Sequence, residues 1–436
     1  MAAHRAVLVV FALAGVCFAS WAARIADAKH ALALTPGELG STLLFTSVGS
    51  LIALPLSGRL ATRVGVVGAI RIGLATALAS NVGIGLGITT LDNRWVLAAS
   101  LALLGIGVAV WDVAMNLEGA TVERDLGRTV MPSYHAGFSA GTVVAALVGA
   151  AMSYAGVSIL GHLAVVGVVI VGLGWWVTAR FLPEDEVAPA PVEVPAGTGP
   201  SWTVEGVLGW ADSGEMGDVG QASEMGDVGQ ASVPGGERAG KSRRREHIEA
   251  GSAWLERRTL VIGMVVFAAA FTEGTANDWL AVGFVDGYGV PRWAGTLAFA
   301  VFLLFMTLAR MLGGSLIDRY GRVTVVRTTF LIAIVGAVLV IVGPVWAAYL
   351  GAGIWGVGAA LGFPVGMSAS ADDPRRAAAR MSVVATIGYG AFIAGPPLLG
   401  HLGDRVGILP AFSVVVVLLL IAVFAVPAVS TARSTD

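Results

Sequence analysis

The chain has 436 residues and a net charge of −2, with 56% of its residues hydrophobic and only 13% charged. Soluble globular domains run near 25% charged, so this composition excludes an ordinary water-soluble enzyme and a disordered chain. A lone Cys17 excludes a disulfide framework or multi-cysteine zinc site, and the near-zero charge gives no bulk positive field for nucleic acid.

What remains is an all-α polytopic membrane protein. A crossing takes about 20 apolar residues, and such runs recur from the N-terminus onward. The first, over 7–27, follows His4 and Arg5 and also fits a secretory signal peptide. It continues to Trp21 without a polar break, however, and its removal would leave eleven spans, so it is kept as a membrane helix. Near its end Arg24 and Asp27 lie three apart and can pair across one turn. A structural clamp is the first reading there and an extracellular gate the second. Spans follow over 39–57 and 67–90, separated by the glycine-bounded turn Gly58-Arg59-Leu60-Ala61-Thr62-Arg63-Val64-Gly65.

The fourth span, 95–117, carries Asp112 and Asn116 on one helical face. They either line a cavity or brace helices. Glu118, Glu123 and Asp125, with Arg124 and Arg128, read as a solvated loop. His135 opens the fifth span, 132–154, as an interfacial histidine or a proton relay. The sixth covers 159–181.

Between 183 and 255 proline, glycine, serine and acidic residues dominate, and the unit Glu-Met-Gly-Asp-Val-Gly-Gln-Ala-Ser occurs twice in tandem, at 215–223 and 224–232. Such a segment has no apolar burial to offset its ordering entropy, so it reads as a flexible cytoplasmic linker. It divides the chain into six-helix bundles over 1–182 and 256–436.

Six more spans fall at 259–281, 293–313, 327–343, 346–367, 382–399 and 408–428, giving twelve helices in two halves. The seventh holds Glu273 near its middle, with Asn277 one turn on and Asp278 beside it. Ionisable side chains inside a span are costly and mark solute or proton paths, so Glu273 leads as the proton-coupling candidate. A structural glutamate inside the bundle is the alternative. Trp279 reads as part of an outer aromatic belt. After the eighth span the turn returns as Gly314-Ser315-Leu316-Ile317-Asp318-Arg319-Tyr320-Gly321, offset by 256 residues. A third copy, Gly400 to Gly407, separates spans eleven and twelve. Pro364, Pro396 and Pro397 mark kinks or helix breaks.

With the N-terminus inside, 22 of the 27 basic residues fall on the cytoplasmic side and 5 outside. Arg310 is counted among the 22. This places both termini in the cytoplasm and the third turn outside.

The repeated turn resembles the signature Gly-x-Leu-x-Asp-Arg-x-Gly of the major facilitator superfamily, which lies between helices two and three and again between eight and nine. The second copy is complete, whereas Thr62 replaces the aspartate in the first. Trp21-Ala22-Ala23-Arg24-Ile25, Trp111-Asp112-Val113-Ala114-Met115-Asn116 and Glu273-Gly274-Thr275-Ala276-Asn277-Asp278-Trp279 are similar to strings in a poorly characterised bacterial inner-membrane branch, distantly similar to fucose permease and sugar transporters. The resemblance implies alternating access in a bacterial plasma membrane, by a carrier acting as a monomer among lipid, on a small-molecule substrate and with protons as coupling ion. Gly58, Arg63, Gly65, Gly314, Asp318, Arg319 and Gly321 would form its conformational turns.

No carboxylate cluster with a clear metal spacing occurs in the sequence. Cofactors and catalysis are therefore not expected. Proton-coupled uptake of a sugar or small organic metabolite is the leading reading. A proton-driven efflux antiporter and a non-transporting sensor or scaffold are the alternatives.

Overall fold

A computed structural model describes residues 2–128, 130–181, 253–373 and 376–430, so the expected linker falls outside the described residues except at its last three positions. Every described element is helical. The first half contains α1 (Ala2–Ala22), α2 (Ile25–Ala31), α3 (Pro36–Thr89), α4 (Arg94–Leu126), α5 (Met131–Tyr154) and α6 (Ile159–Thr178). The second contains α7 (Arg257–Tyr288), α8 (Arg292–Tyr320), α9 (Arg322–Val342), α10 (Val345–Ala359), α11 (Gly362–Ser370), α12 (Ala377–Val406), α13 (Ile408–Ala411) and α14 (Ser413–Ala425). A short 3₁₀ turn, Val426–Val429, follows.

Eleven helical stretches among the described residues are long and apolar enough to cross a membrane. One of them, α3, has 54 residues, about 80 Å at 1.5 Å per residue, against a hydrocarbon core of roughly 30 Å. Its backbone leaves helical geometry at Gly65, so α3 holds two crossing lengths that meet there.

Local chemistry sets the helix ends. Thr35 and Glu38 form a capping box at the start of α3, with Pro36 in the first turn. Asn93 accepts from the N–H groups of Trp95 and Val96 to begin α4. Gly127 and Gly289 close α4 and α7 in the left-handed region, where a side chain would be strained.

Burial ranks the helices. The apolar windows of α1–α2, α4, α7 and α10–α11 are 72% buried or more, whereas the remaining windows are 50% buried or less. The four inner stretches thus occupy the centre and the others face lipid. Across the seam between the halves, α12 packs on α3 and α8 on α5. Glycine permits the closest approach. A Cβ on Gly40 would lie 2.2 Å from the Pro396 carbonyl oxygen, and one on Gly400 would lie 2.3 Å from that of Pro36.

The three repeated turns share one backbone device. Gly65, Gly321 and Gly407 have φ/ψ of 76°/162°, 78°/154° and 86°/157°. This region is essentially restricted to glycine, which explains why each copy ends on that residue. The third copy lies at the opposite end of the bundle from the other two, beside Pro36 and Gly37. Nested inverted triplets are a recurrent transporter plan, and reuse of the turn between the last two spans fits one.

Candidate functional site

Glu273 is the seventeenth of the 32 residues of α7, roughly 24 Å from either end. It is 4% exposed, and its Oε2 accepts from Arg310 Nη2 at 2.8 Å. Arg310 comes from α8, which runs 29 residues to Tyr320. Because the helix continues through the Gly314–Tyr320 turn, Arg310 sits a further three turns inside it. The sequence reading assigned this arginine to the cytoplasmic rim. Here it is the counter-ion of Glu273.

A third inner stretch completes the junction. The tenth span breaks between α10 and α11, at Ala360 and Leu361. Pro364 has no N–H with which to bond the carbonyl four residues earlier, and that carbonyl belongs to Ala360. Arg310 Nε donates to it at 3.3 Å. One arginine therefore ties α8 to the carboxylate of α7 and to the freed backbone of α10.

The other candidates are placed unevenly around this centre. Asn277 is buried on the Glu273 face, and its Oδ1 has no protein partner. Asp278 is half-buried and points away from that face. Asp112 and Asn116 are both buried, and Asn116 Nδ2 donates to Asp112 Oδ1 at 3.1 Å and to its carbonyl at 2.9 Å. They form one local unit on α4. Trp279 is fully buried, not part of an outer belt.

His135 is also buried, rather than interfacial. Phe11 covers it edge-on with ring centroids 5.2 Å apart, and neither ring nitrogen has a protein partner. It lies within electrostatic reach of Arg310 across the α5–α8 seam. Glu118 and Glu123 differ from the expected solvated loop because α4 extends to Leu126 and buries them. Glu123 Oε2 accepts from the N–H groups of Val130 (2.5 Å) and Met131 (2.7 Å), capping α5 from the neighbouring helix.

At the Asp404 end the halves are drawn together. Arg24 and Asp27 pair at 2.9 Å as their spacing suggests. Asp27 reaches further, to Arg292 of the other half at 3.2 Å and to Ser153 at 3.2 Å. Lys29 and His30 meet Asp286 at 2.9 and 3.0 Å. Thr296 donates to the Ala23 carbonyl at 2.9 Å, and Tyr154 meets the edge of Trp293. Asp404, the acid of the third turn, accepts from the Gly37 N–H at 3.0 Å, at the start of α3. In the turns of the opposite end, Thr62 bonds only within its own turn, to the Arg59 carbonyl, while Asp318 forms no ion pair among the described residues.

These features define a polytopic helical carrier with a charged, buried junction and one closed end. The Major Facilitator Superfamily profile matches residues 262–435. An uncharacterised transporter of Sinorhizobium fredii is 28% identical over 402 residues, covering 92% of this chain and 91% of its own. An uncharacterised MFS-type transporter of Yersinia pestis is 25% identical over 412 residues, with coverages of 94% and 91%. Among solved structures, a bacterial homologue of the human lysosomal transporter Spinster, described as inward-facing and unoccupied, aligns with a TM-score of 0.67 at 15% identity. That alignment covers 98% of this chain and 96% of the other. Fold, profile and relatives bear out the resemblance read from the turns: the chain is similar to membrane transporters of the major facilitator superfamily.

Proposed function

We propose that the protein is a secondary active carrier that takes up a small solute together with protons, residues 1–182 rocking against 256–436 about the cytoplasmic linker at 183–255. The observation that carries this reading is the Glu273–Arg310 pair, buried midway along α7. A carboxylate there must be paired or protonated before the centre can close around it. Exchange between those two conditions links a proton to the conformational cycle. Asn277 is placed one turn away to orient solute or water, and the Asp112–Asn116 unit supports the same centre from the other half.

The basic-residue bias supports a bacterial inner-membrane orientation with both termini inside. Under that orientation the Asp404 end is external, Arg24 and Asp27 belong to the closed outer gate, and the described conformation faces the cytoplasm. Proteoliposomes holding the full chain, screened with labelled sugars, nucleosides and small carboxylates under an imposed pH gradient, test transport and coupling together. Glu273→Gln is expected to exchange solute down its gradient but lose pH-driven accumulation. Retained uphill transport would move the proton site elsewhere, with Asp112 next in line. In a background lacking Cys17, a cysteine at 287 should be labelled from outside intact cells and one at 220 should not.

A further inference from the structure

A cavity away from the central pair lies at the Asp404 end. It encloses about 410 Å³ and takes its walls from both halves. His30 of α2 and Ser153 of α5 form one side, and Val285 of α7 with the run Val290 to Trp293, where α8 begins, forms the other. A volume of this size suits a small organic molecule better than a lone ion. Val285 is twelve residues beyond Glu273 on α7, about 18 Å along the helix, so the cavity is separate from the central pair.

The charges around it favour an anion. Four basic side chains, Arg24, Lys29, His30 and Arg292, share two carboxylates, Asp27 and Asp286. Arg292 approaches Asp27 through Nε at 3.2 Å and is about half exposed, so both of its Nη groups remain available. A guanidinium edge matches the two oxygens of a carboxylate. Pro291 starts α8 here without a side-chain cap, and the positive end of that helix adds to the same preference. The other walls are apolar: Val285, Val290, Pro291 and the ring of Trp293. Tyr154 of the first half meets that ring edge-on at 5.4 Å, which fixes it as a flat surface for stacking.

We infer that this cavity binds a compact monocarboxylate with an aromatic body, its carboxylate on Arg292 and its ring against Trp293, and that the bound molecule brakes the carrier. His30 and Ser153 stand opposite Val290 and Trp293 only while the halves meet at this end. A ligand that binds one of two states shifts the balance toward that state, so it holds the end shut. Binding requires no particular cargo or coupling ion. The brake rests on the rocking of the halves proposed above.

Purified full-length protein and radiolabelled phenylacetate test the site by equilibrium dialysis. One saturable site per chain is expected, at which unlabelled phenylacetate competes about tenfold or more better than phenylacetamide or phenylethylamine. Arg292→Gln removes the guanidinium, and Val290→Glu adds a carboxylate to the wall while leaving the ion-paired residues unaltered. Each should weaken binding about tenfold or more, whereas Glu273→Gln should not change it. The brake is read on Thr296→Cys in a background lacking Cys17. Phenylacetate at about ten times its dissociation constant should slow the reaction with an impermeant maleimide about tenfold.

The inference is overturned by a lack of saturable binding in the millimolar range, by equal competition from phenylacetamide, or by binding that both Arg292→Gln and Val290→Glu leave intact. Loss of binding in Glu273→Gln would place the ligand at the centre and overturn it too, as would saturable binding that leaves the Thr296→Cys rate unaltered. Should Arg292→Gln not fold, Val290→Glu decides. A Thr296→Cys that never reacts in the absence of ligand would instead count against the rocking of the halves, and the dialysis would still decide the site.

Discussion

At Pro364 an absent N–H organises chemistry one helix away. Replacing it with alanine supplies the donor that Ala360 lacks and lets α10 and α11 approach one continuous helix. Pro364→Ala is expected to stabilise the protein in detergent by on the order of 1 kcal/mol and to slow transport, because the new N–H competes with Arg310 for the Ala360 carbonyl. A thermal melt paired with initial uptake rates checks both signs; faster uptake would contradict the assigned role of the break. Glu273 was legible in the sequence because an acid fourteen residues into an apolar run has few benign explanations. Arg310 was not, because it falls near the end of its apolar run, where a basic residue ordinarily marks the cytoplasmic rim. Only the continuation of α8 through the following turn places it deep inside. His135 escaped for a related reason: its cover, Phe11, comes from a distant span.

Helix ends record what neighbouring elements supply. Glu256, just before α7, pairs with Arg376 and Arg380 and accepts from Thr259 at 2.8 Å. Burial pushes its carboxyl up, but the Arg380 and Thr259 hydrogen bonds and the Arg380 and Arg376 charges outweigh this and hold it below its usual 4.5. A lowered folded-state value means that stability is present above the unfolded value and is lost as pH falls through the folded one. The thermal midpoint of the unaltered protein minus that of Glu256→Gln should therefore shrink below about pH 4.5 and stay level above it; a gap that widens on acidification would reverse the assignment.

The turns give a second measurement at this scale. Gly321→Ala forces a side chain into the glycine-only region and should cost about 1–3 kcal/mol. Gly172→Ala, on α6 with nothing within 4 Å of the added methyl, should be neutral or slightly stabilising. Equal melting points would remove the backbone argument. Span positions and the turn repeats were readable because apolar runs and glycine spacing are local signals. The cap that Glu123 provides to α5 was not, since charged residues beyond an apolar stretch look solvated until the helix carrying them is seen to continue.

Across the whole molecule, the third turn acts where the halves meet. The Asp404 bond to Gly37 is charge-assisted, and such bonds contribute about 1.5–3 kcal/mol, or roughly 10- to 100-fold in the balance between states. Asp404→Ala should expose the seam accordingly. A cysteine replacing Thr296, fully buried there, should react with a membrane-impermeant maleimide about 10-fold faster or more, in a background lacking Cys17; an unchanged rate would mean that Asp404 does not hold the end shut.

The ion pairs beside it are of a different kind. Arg292 is 52% exposed where it meets Asp27, and Asp286 is 21% exposed where it meets Lys29. Pairs this wet are weakened by dissolved ions, whose screening length falls from about 10 Å at 0.1 M to about 3 Å at 1 M. The central pair lies too deep for the same ions to reach with equal effect. Salt added on the Asp404 side alone would therefore loosen this closed end while sparing the central pair, so that the ionic strength of one compartment becomes an input to which way the carrier rests.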